Sequence, residues 1–214
     1  SPATSTRLIA AFGISKSRAL CRPVRRAKRY TISSTPPCVK IVIEKSGQGV
    51  YIEAPDDPQP LLFKLNEQET AAMFGLAEKL GYFSRTLESG LAVAKMGDKT
   101  LRWESGGKTQ EQTFNYSSDV DAQQLTDWFE KISESERFLM ELERSARFDK
   151  LGVNRVILQI QAAYEKKRLV AVDQYLKWLD RVTKNESYLN MARERASRLV
   201  DIFRNPPPVE GSKQ

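Results

Sequence analysis

The sequence predicts an α+β protein, in which antiparallel sheet(s) in a βββα-βββα arrangement are followed by a C-terminal bundle of three to four helices. Two patterns support this class. Between residues 39 and 114, short stretches of alternating apolar and polar residues are separated by glycine-containing turns, which is typical of antiparallel strands. Between residues 133 and 204, apolar residues recur every three or four positions, as on amphipathic helices.

These patterns divide the chain into four parts. We expect a basic disordered tail or targeting segment at 1–38, an α+β domain at 39–132, a helical domain at 133–204 and a disordered C-terminus at 205–214. The last boundary is set by Pro206–Pro208, because proline cannot continue a helix.

The N-terminal segment accounts for the positive charge of the chain. The first 43 residues contain nine Lys and Arg residues and no Asp or Glu, whereas the whole chain has 34 basic and 27 acidic residues. Three interpretations fit this composition: a disordered tail or a leftover ahead of the true start, an organelle-targeting segment, or an arm that binds nucleic acid or another anionic surface. The residues that could bind a polyanion are Arg22, Arg25, Arg26, Lys28 and Arg29.

The composition excludes several chemistries. The chain has no histidine, so it can use neither His-activated nucleophiles nor His-ligated metals. No phosphate-binding loop and no recognisable pair of carboxylates is present, and we therefore predict no catalytic, cofactor-binding or metal-binding residues. Cys21 and Cys38 are either joined in an oxidising compartment or are incidental thiols. No apolar run reaches the roughly 18 residues that a membrane span requires.

The first strand set and its helix occupy residues 39–80. Val39–Glu44 alternates in a strand pattern, a turn with two glycines follows, and the chain returns as a strand at Val50–Glu53. A third strand is predicted at Leu61–Leu65. Asn66, with Glu69 three residues later, resembles a capping box and predicts the start of a helix that ends before Gly81.

A second set of three strands and a helix follows. Strands are predicted at Leu91–Met96, Thr100–Glu104 and Thr109–Phe114, and Asp119 or Asp121 should cap the next helix. Trp103 and Trp128 are in phase with apolar neighbours, so we expect both in the core rather than in a ligand site.

One stretch of this half resembles a known group of proteins. The pattern F-x-L…E…LGYF over Phe63–Phe83, followed by hairpins that end in a Gly-Gly turn, resembles bacterial α+β proteins of uncharacterised activity that are often predicted to be exported. The resemblance covers about residues 39–132. It implies a fold, but it contains no catalytic motif and implies no activity.

The C-terminal part should fold as helices. Helix continues or restarts at Glu134–Phe148, Val153–Tyr164 carries the next apolar stripe, and Asp173 and Asn185 are expected to cap the last two helices. The stripe of the final helix serves either an intramolecular bundle or a partner helix. Its members are Leu189, Ala192, Ala196, Leu199 and Phe203.

For function, the sequence predicts a non-catalytic binding or scaffold protein with protein partners. The alternative is a nucleic-acid-associated protein that uses the basic N-terminal arm. A bacterial extracytoplasmic location is favoured over an organelle or the cytoplasm.

Overall fold

The computed structural model describes residues 5–13, 39–53, 59–94 and 97–206. Within these ranges the chain forms six strands and five α-helices, which confirms the predicted α+β class. The strands are β1 (Arg7–Gly13), β2 (Val39–Glu44), β3 (Gln48–Ile52), β4 (Leu61–Lys64), β5 (Asp98–Ser105) and β6 (Lys108–Phe114). The helices are α1 (Glu67–Lys79), α2 (Val120–Phe148), α3 (Val153–Glu165), α4 (Leu176–Lys184) and α5 (Asn190–Arg204).

The strands form a single antiparallel sheet in the order β4-β3-β2-β1-β5-β6. The chain divides into two compact units between Ser133 and Glu134, so α2 begins in one unit and ends in the other. We call the residues up to Ser133 the strand unit and those from Glu134 onward the helical unit.

Strand β1 corrects, for residues 7–13, the prediction that residues 1–38 form a disordered tail or targeting segment. Arg7–Gly13 lies in the middle of the sheet and pairs with β2 on one side and β5 on the other. Leu8 and Ala10 are fully buried there. Residues 1–4 and 14–38, which make up most of the predicted tail, lie outside the described residues.

The strand predicted at Leu91–Met96 does not form. Residues 91–94 have no regular secondary structure and are exposed, and 95–96 lie outside the described residues. The physical reason is that β5 already pairs with β1 on one side and β6 on the other. Along the chain, the strand unit therefore has four strands, α1, two strands and then α2, rather than two sets of three strands.

The hairpins, the third strand and the helix caps predicted for the strand unit are confirmed. Both hairpins and β4 form near the expected residues. Asn66 Oδ1 accepts from the Glu69 N–H at 2.8 Å, and Glu69 Oε2 accepts from the Asn66 N–H at 2.9 Å, which completes the capping box. Asp119 Oδ1 accepts from the Asp121 N–H at 2.9 Å, so Asp119 is the residue that caps α2.

The core of the strand unit lies on one face of the sheet. Ile41 and Leu101, which flank Ala10 in register, are fully buried on that face. Phe12 meets Phe129 of α2 edge to face, with 6.5 Å between the ring centroids, so α2 covers the same face.

Trp103 and Trp128 do not occupy the core as predicted, because both are only half-buried. The Trp103 ring stacks on Tyr82 at 4.8 Å between centroids, and the Lys131 ammonium lies 5.2 Å from the centroid of Trp128. Phe129, the next residue of α2, is fully buried. Trp128 therefore lies at the margin of the core rather than within it.

The helical unit has its own core, to which α2, α3, α4 and α5 all contribute. Its largest buried side chains include Leu142, Ile157, Tyr175, Trp178 and Leu199. α2 continues without interruption to Phe148, and the apolar stripe predicted for α3 is buried.

Two predicted caps in this unit are wrong. Asp173 lies inside a short 3-10 turn, Val172–Tyr175, which leads into α4 without a side-chain cap. Asn185 Oδ1 accepts from the Ser187 N–H at 2.9 Å within a turn, and α5 begins only at Asn190. Asn185 therefore stabilises the turn before α5 instead of the first turn of that helix.

Candidate functional site

The polyanion-binding residues predicted from the sequence, Arg22, Arg25, Arg26, Lys28 and Arg29, lie outside the described residues. Their role stays a prediction. The position of β1 changes how it can be tested, because removing residues 1–38 would also remove the central strand of the sheet. Only charge-neutralising substitutions within the cluster leave the strand unit complete.

The predicted stripe of the last helix is placed inside the helical unit. Ala192, Ala196, Leu199 and Phe203 are buried in its core, and the Phe203 ring meets Tyr164 at 5.3 Å between centroids. This burial corrects the interpretation of the stripe as the docking face for a partner helix. Leu189, the fifth predicted member, precedes α5 and is exposed.

One acidic residue is completely buried in the helical unit. Glu136 of α2 accepts a hydrogen bond at Oε1 from Gln174 Nε2 at 2.7 Å. Its other oxygen, Oε2, and the Gln174 amide oxygen are both buried and have no hydrogen-bond partner among the described residues. Burial raises the pKa of Glu136 to about 7, and the hydrogen bond from Gln174 opposes that rise only in part.

The neighbours of Glu136 hold the start of α4 against α2. The Tyr175 hydroxyl donates to the Ser135 carbonyl at 2.5 Å, and the Val170 N–H donates to Ser135 Oγ at 3.0 Å. Burial, with the nearby Glu136 charge, raises the pKa of Tyr175 well above its usual value, so this phenol stays neutral. A proton on Glu136 would make the carboxyl a donor as well as an acceptor, which suits the unsatisfied amide oxygen of Gln174.

This cluster can hold or release one proton, but it is not built to meet a substrate. Neither Glu136 nor Ser135 has any exposed surface in the folded unit. A catalytic acid must come within hydrogen-bond reach of the group that it protonates. The arrangement therefore links pH to the packing of the helical unit rather than to a reaction.

A second feature of the helical unit is fully accessible. Several large apolar side chains at one end of the unit are exposed, with Phe148 at 81% and Leu151 at 75% of their full surface. We call this set the apolar end patch, and its members are Phe148, Leu151, Leu158, Leu189 and Met191.

Specific contacts bring the segments of the apolar end patch together. Asn154, which follows Leu151 by three residues and precedes Leu158 by four, donates to the sulfur of Met191 at 3.6 Å. The Tyr188 hydroxyl donates to the carbonyl of Ala146 at 2.6 Å, which fixes the residues before α5 against the end of α2. The patch is thus assembled from the end of α2 and the starts of α3 and α5.

The link between α2 and α3 is itself a structured turn. The Gly152 N–H donates to Asp149 Oδ1 at 2.9 Å, and the Val153 N–H donates to the Asp149 carbonyl at 3.1 Å. These bonds fix the short segment that presents Phe148 and Leu151 to solvent. The two side chains are exposed on an ordered turn and not on a loose loop.

The border of the patch is basic. Residues 143–155 contain four basic and two acidic residues, and the acidic Glu143 is paired with Arg147 at 2.6 Å. Arg144, Lys150 and Arg155 are exposed and form no ion pair within the part of the chain that the structure describes. An exposed apolar area with a charged rim is typical of an interaction site.

Sequence reasoning missed this patch, although a signal is present. Leu158 is out of phase with the buried stripe of α3, and Leu151 stands next to a glycine in a short link. An isolated out-of-phase leucine is ordinary on a protein surface. Only the folded chain shows that residues from three helices meet at one end.

Comparisons with known proteins identify no relative: no family model matches the chain, and neither a curated protein nor a solved structure does so. Among the described residues, none of the helices combines the length and apolarity needed to cross a membrane. Those residues also contain no group of three or more His, Cys, Asp or Glu side chains that could hold a metal ion. The function is therefore inferred from the fold and from the apolar end patch.

Proposed function

We propose that the protein is a non-catalytic binding protein, and that its apolar end patch binds an acidic amphipathic segment of a partner protein. The observation that carries this proposal is the exposure of Phe148 and Leu151 on an ordered turn of a unit whose other aromatic residues are buried or half-buried. Leaving such side chains in water costs free energy that a partner would recover on binding.

The charge around the patch supports an acidic partner. Arg144, Lys150 and Arg155 are available to meet carboxylates, whereas the two acids within residues 143–155 are engaged by Arg147 and by the turn at Gly152. Complementary charge around an apolar centre favours one class of partner over another. An amphipathic helix with acidic residues beside its apolar face has this complementary pattern.

The test uses two synthetic helical peptides with the same leucine face, one with glutamates and the other with lysines on the polar face. We expect the full chain to bind the acidic peptide saturably in fluorescence anisotropy and to bind the basic peptide at least tenfold more weakly. The double variant Phe148→Ser/Leu151→Ser should lose at least tenfold in affinity for the acidic peptide, about 1.4 kcal/mol.

The matched control is Leu91→Ser, which replaces another exposed leucine, 60% exposed, in the strand unit. It should bind like the wild type. Failure to bind either peptide, equal binding of both, or binding that survives in the double variant would each overturn the proposal.

A further inference from the structure

The face of the sheet opposite the core carries a continuous apolar row. The strand register aligns Leu62 of β4 with Val50 of β3, Val50 with Val42 of β2, and Val42 with Ile9 of β1. These four residues therefore lie side by side across four neighbouring strands and point to the same face. On β5, the register continues the row with Arg102.

This face is distinct from the one that the helices cover. Phe12 meets α2, and Trp103 meets the turn after α1, both on the core face. Side chains of the apolar row alternate with these core residues along each strand, so they point the other way. Leu62 is 77% exposed, and Ile9, Val42 and Val50 are half-buried. A solvated face of an antiparallel sheet is normally polar, so four aligned aliphatic residues are unusual there.

The charges beside the row are arranged to match a second copy of the same face. Lys40 and Glu44 lie on β2, two residues to either side of Val42, and both point to the open face. A two-fold axis that runs along the apolar row would stack each row residue on its own counterpart. The same axis would place Lys40 of one copy against Glu44 of the other, because the two residues are equally far from Val42.

The end of the row carries charges that are already paired within each copy. Arg102 contacts Glu104 at 2.5 Å and Glu111 at 3.6 Å on this face. Under the same axis, Arg102 of one copy would lie opposite Arg102 of the other, each with its own carboxylate partners beside it. The attraction between the two copies therefore comes from the apolar row and from the contact of Lys40 with Glu44, which Arg7 of its own copy also contacts at 3.1 Å.

The size of the face suits a dimer. Six strands about 4.8 Å apart span roughly 29 Å, and strands of this length extend roughly 20 Å. Each copy would then cover about 600 Å², and the pair about 1,200 Å², which is the lower end for a stable interface. Two sheets that pack face to face at about 10 Å would interdigitate the row residues.

We infer that the open face of the sheet is a homodimer interface, in which the row Ile9, Val42, Val50 and Leu62 packs on the same row of a second copy. The interface belongs to the strand unit and does not depend on the binding role proposed for the apolar end patch. It also gives a reason for the placement of β1, since Ile9 extends the apolar row to a fourth strand.

The test is the molar mass of the full chain in sedimentation velocity and light scattering. We expect the wild type at micromolar concentration to have twice the mass of the 24.3 kDa chain. Leu62→Glu should give a monomer with an unchanged thermal melt of its strand unit, because this side chain is already in water. Val42→Glu should do the same, and if it fails to fold, Leu62→Glu still decides the question.

A charge swap distinguishes this pairing from other dimers. Lys40→Glu should weaken the dimer at least tenfold because it faces Glu44 of the other copy, and the double variant Lys40→Glu/Glu44→Lys should restore it. Leu91→Glu and Phe148→Ser/Leu151→Ser, which lie off the sheet face, should remain dimeric. A monomeric wild type, a dimer that survives Leu62→Glu, or a dimer lost only in the end-patch variant would overturn the inference.

Discussion

Glu136 couples the stability of the helical unit to pH through a single carboxyl group. Its folded pKa of about 7 lies above the value of about 4.3 for an unfolded glutamate, so the folded chain retains a proton that the unfolded chain has released. Stability from this group is therefore complete below about pH 4.3 and is lost as the pH rises through about 7. Tyr175 stays neutral over this pH range, so it does not change the dependence of stability on pH.

Replacing Glu136 by glutamine should remove this dependence. Between pH 5 and pH 8, the free energy of unfolding measured in urea should fall by up to about 3 kcal/mol more in the wild type than in Glu136→Gln. The size follows from about 1.36 kcal/mol for each pKa unit. Glu141→Gln, an exposed position on the same helix, is the control and should keep the wild-type slope. Parallel pH profiles for Glu136→Gln and the wild type would show that this carboxyl is already charged when folded.

Two neighbouring aromatic residues of α2 differ in how much they contribute to the free energy of unfolding. Phe129 is fully buried against Phe12, whereas Trp128 is half-buried beside Lys131. Phe129→Ala should therefore lower the free energy of unfolding by about 3–5 kcal/mol. Trp128→Ala should cost under about 1.5 kcal/mol, because much of its ring is already in water. The two substitutions share a helix and serve as each other's control in urea melts, and equal losses would contradict the assignment.

At the scale of whole elements, local pattern predicts some elements well and others not at all. The capping box at Asn66 and the hairpin turns were predictable, because their hydrogen bonds join residues that are close in sequence. Strand β1 was not, because both its faces are apolar and its partners are distant, with β5 about ninety residues away. The false strand at Leu91–Met96 shows the converse: alternation alone does not form a strand when the next strand along the chain, β5, is already paired on both sides.

The candidate sites differ in the same way: one follows from a pattern local in sequence, and the others depend on contacts between distant segments. The stripe of α5 was predictable as an apolar face, because its period is local. The apolar end patch depends on hydrogen bonds such as those from Asn154 and Tyr188 to distant segments, and the apolar row depends on register across four strands. Neither can be obtained from spacing along the chain.

The whole molecule consists of two units, each with a separate core, and α2 passes through both. A charge buried in one core should therefore unfold that unit first. Leu199→Asp places a charge without a partner among the buried residues of the helical unit, where an isolated carboxylate is strongly unfavourable. Leu8→Asp does the same in the centre of the sheet.

Hydrogen exchange followed by mass spectrometry distinguishes the two units directly. Leu199→Asp should accelerate exchange across α3, α4 and α5 while the strands β1 to β6 keep their protection, and Leu8→Asp should produce the reverse pattern. Leu91→Asp, on an exposed stretch with no regular structure, should change neither. If either core substitution abolished protection throughout the chain, α2 would be transmitting the loss from one core to the other, and the molecule would fold as one cooperative unit and not as two.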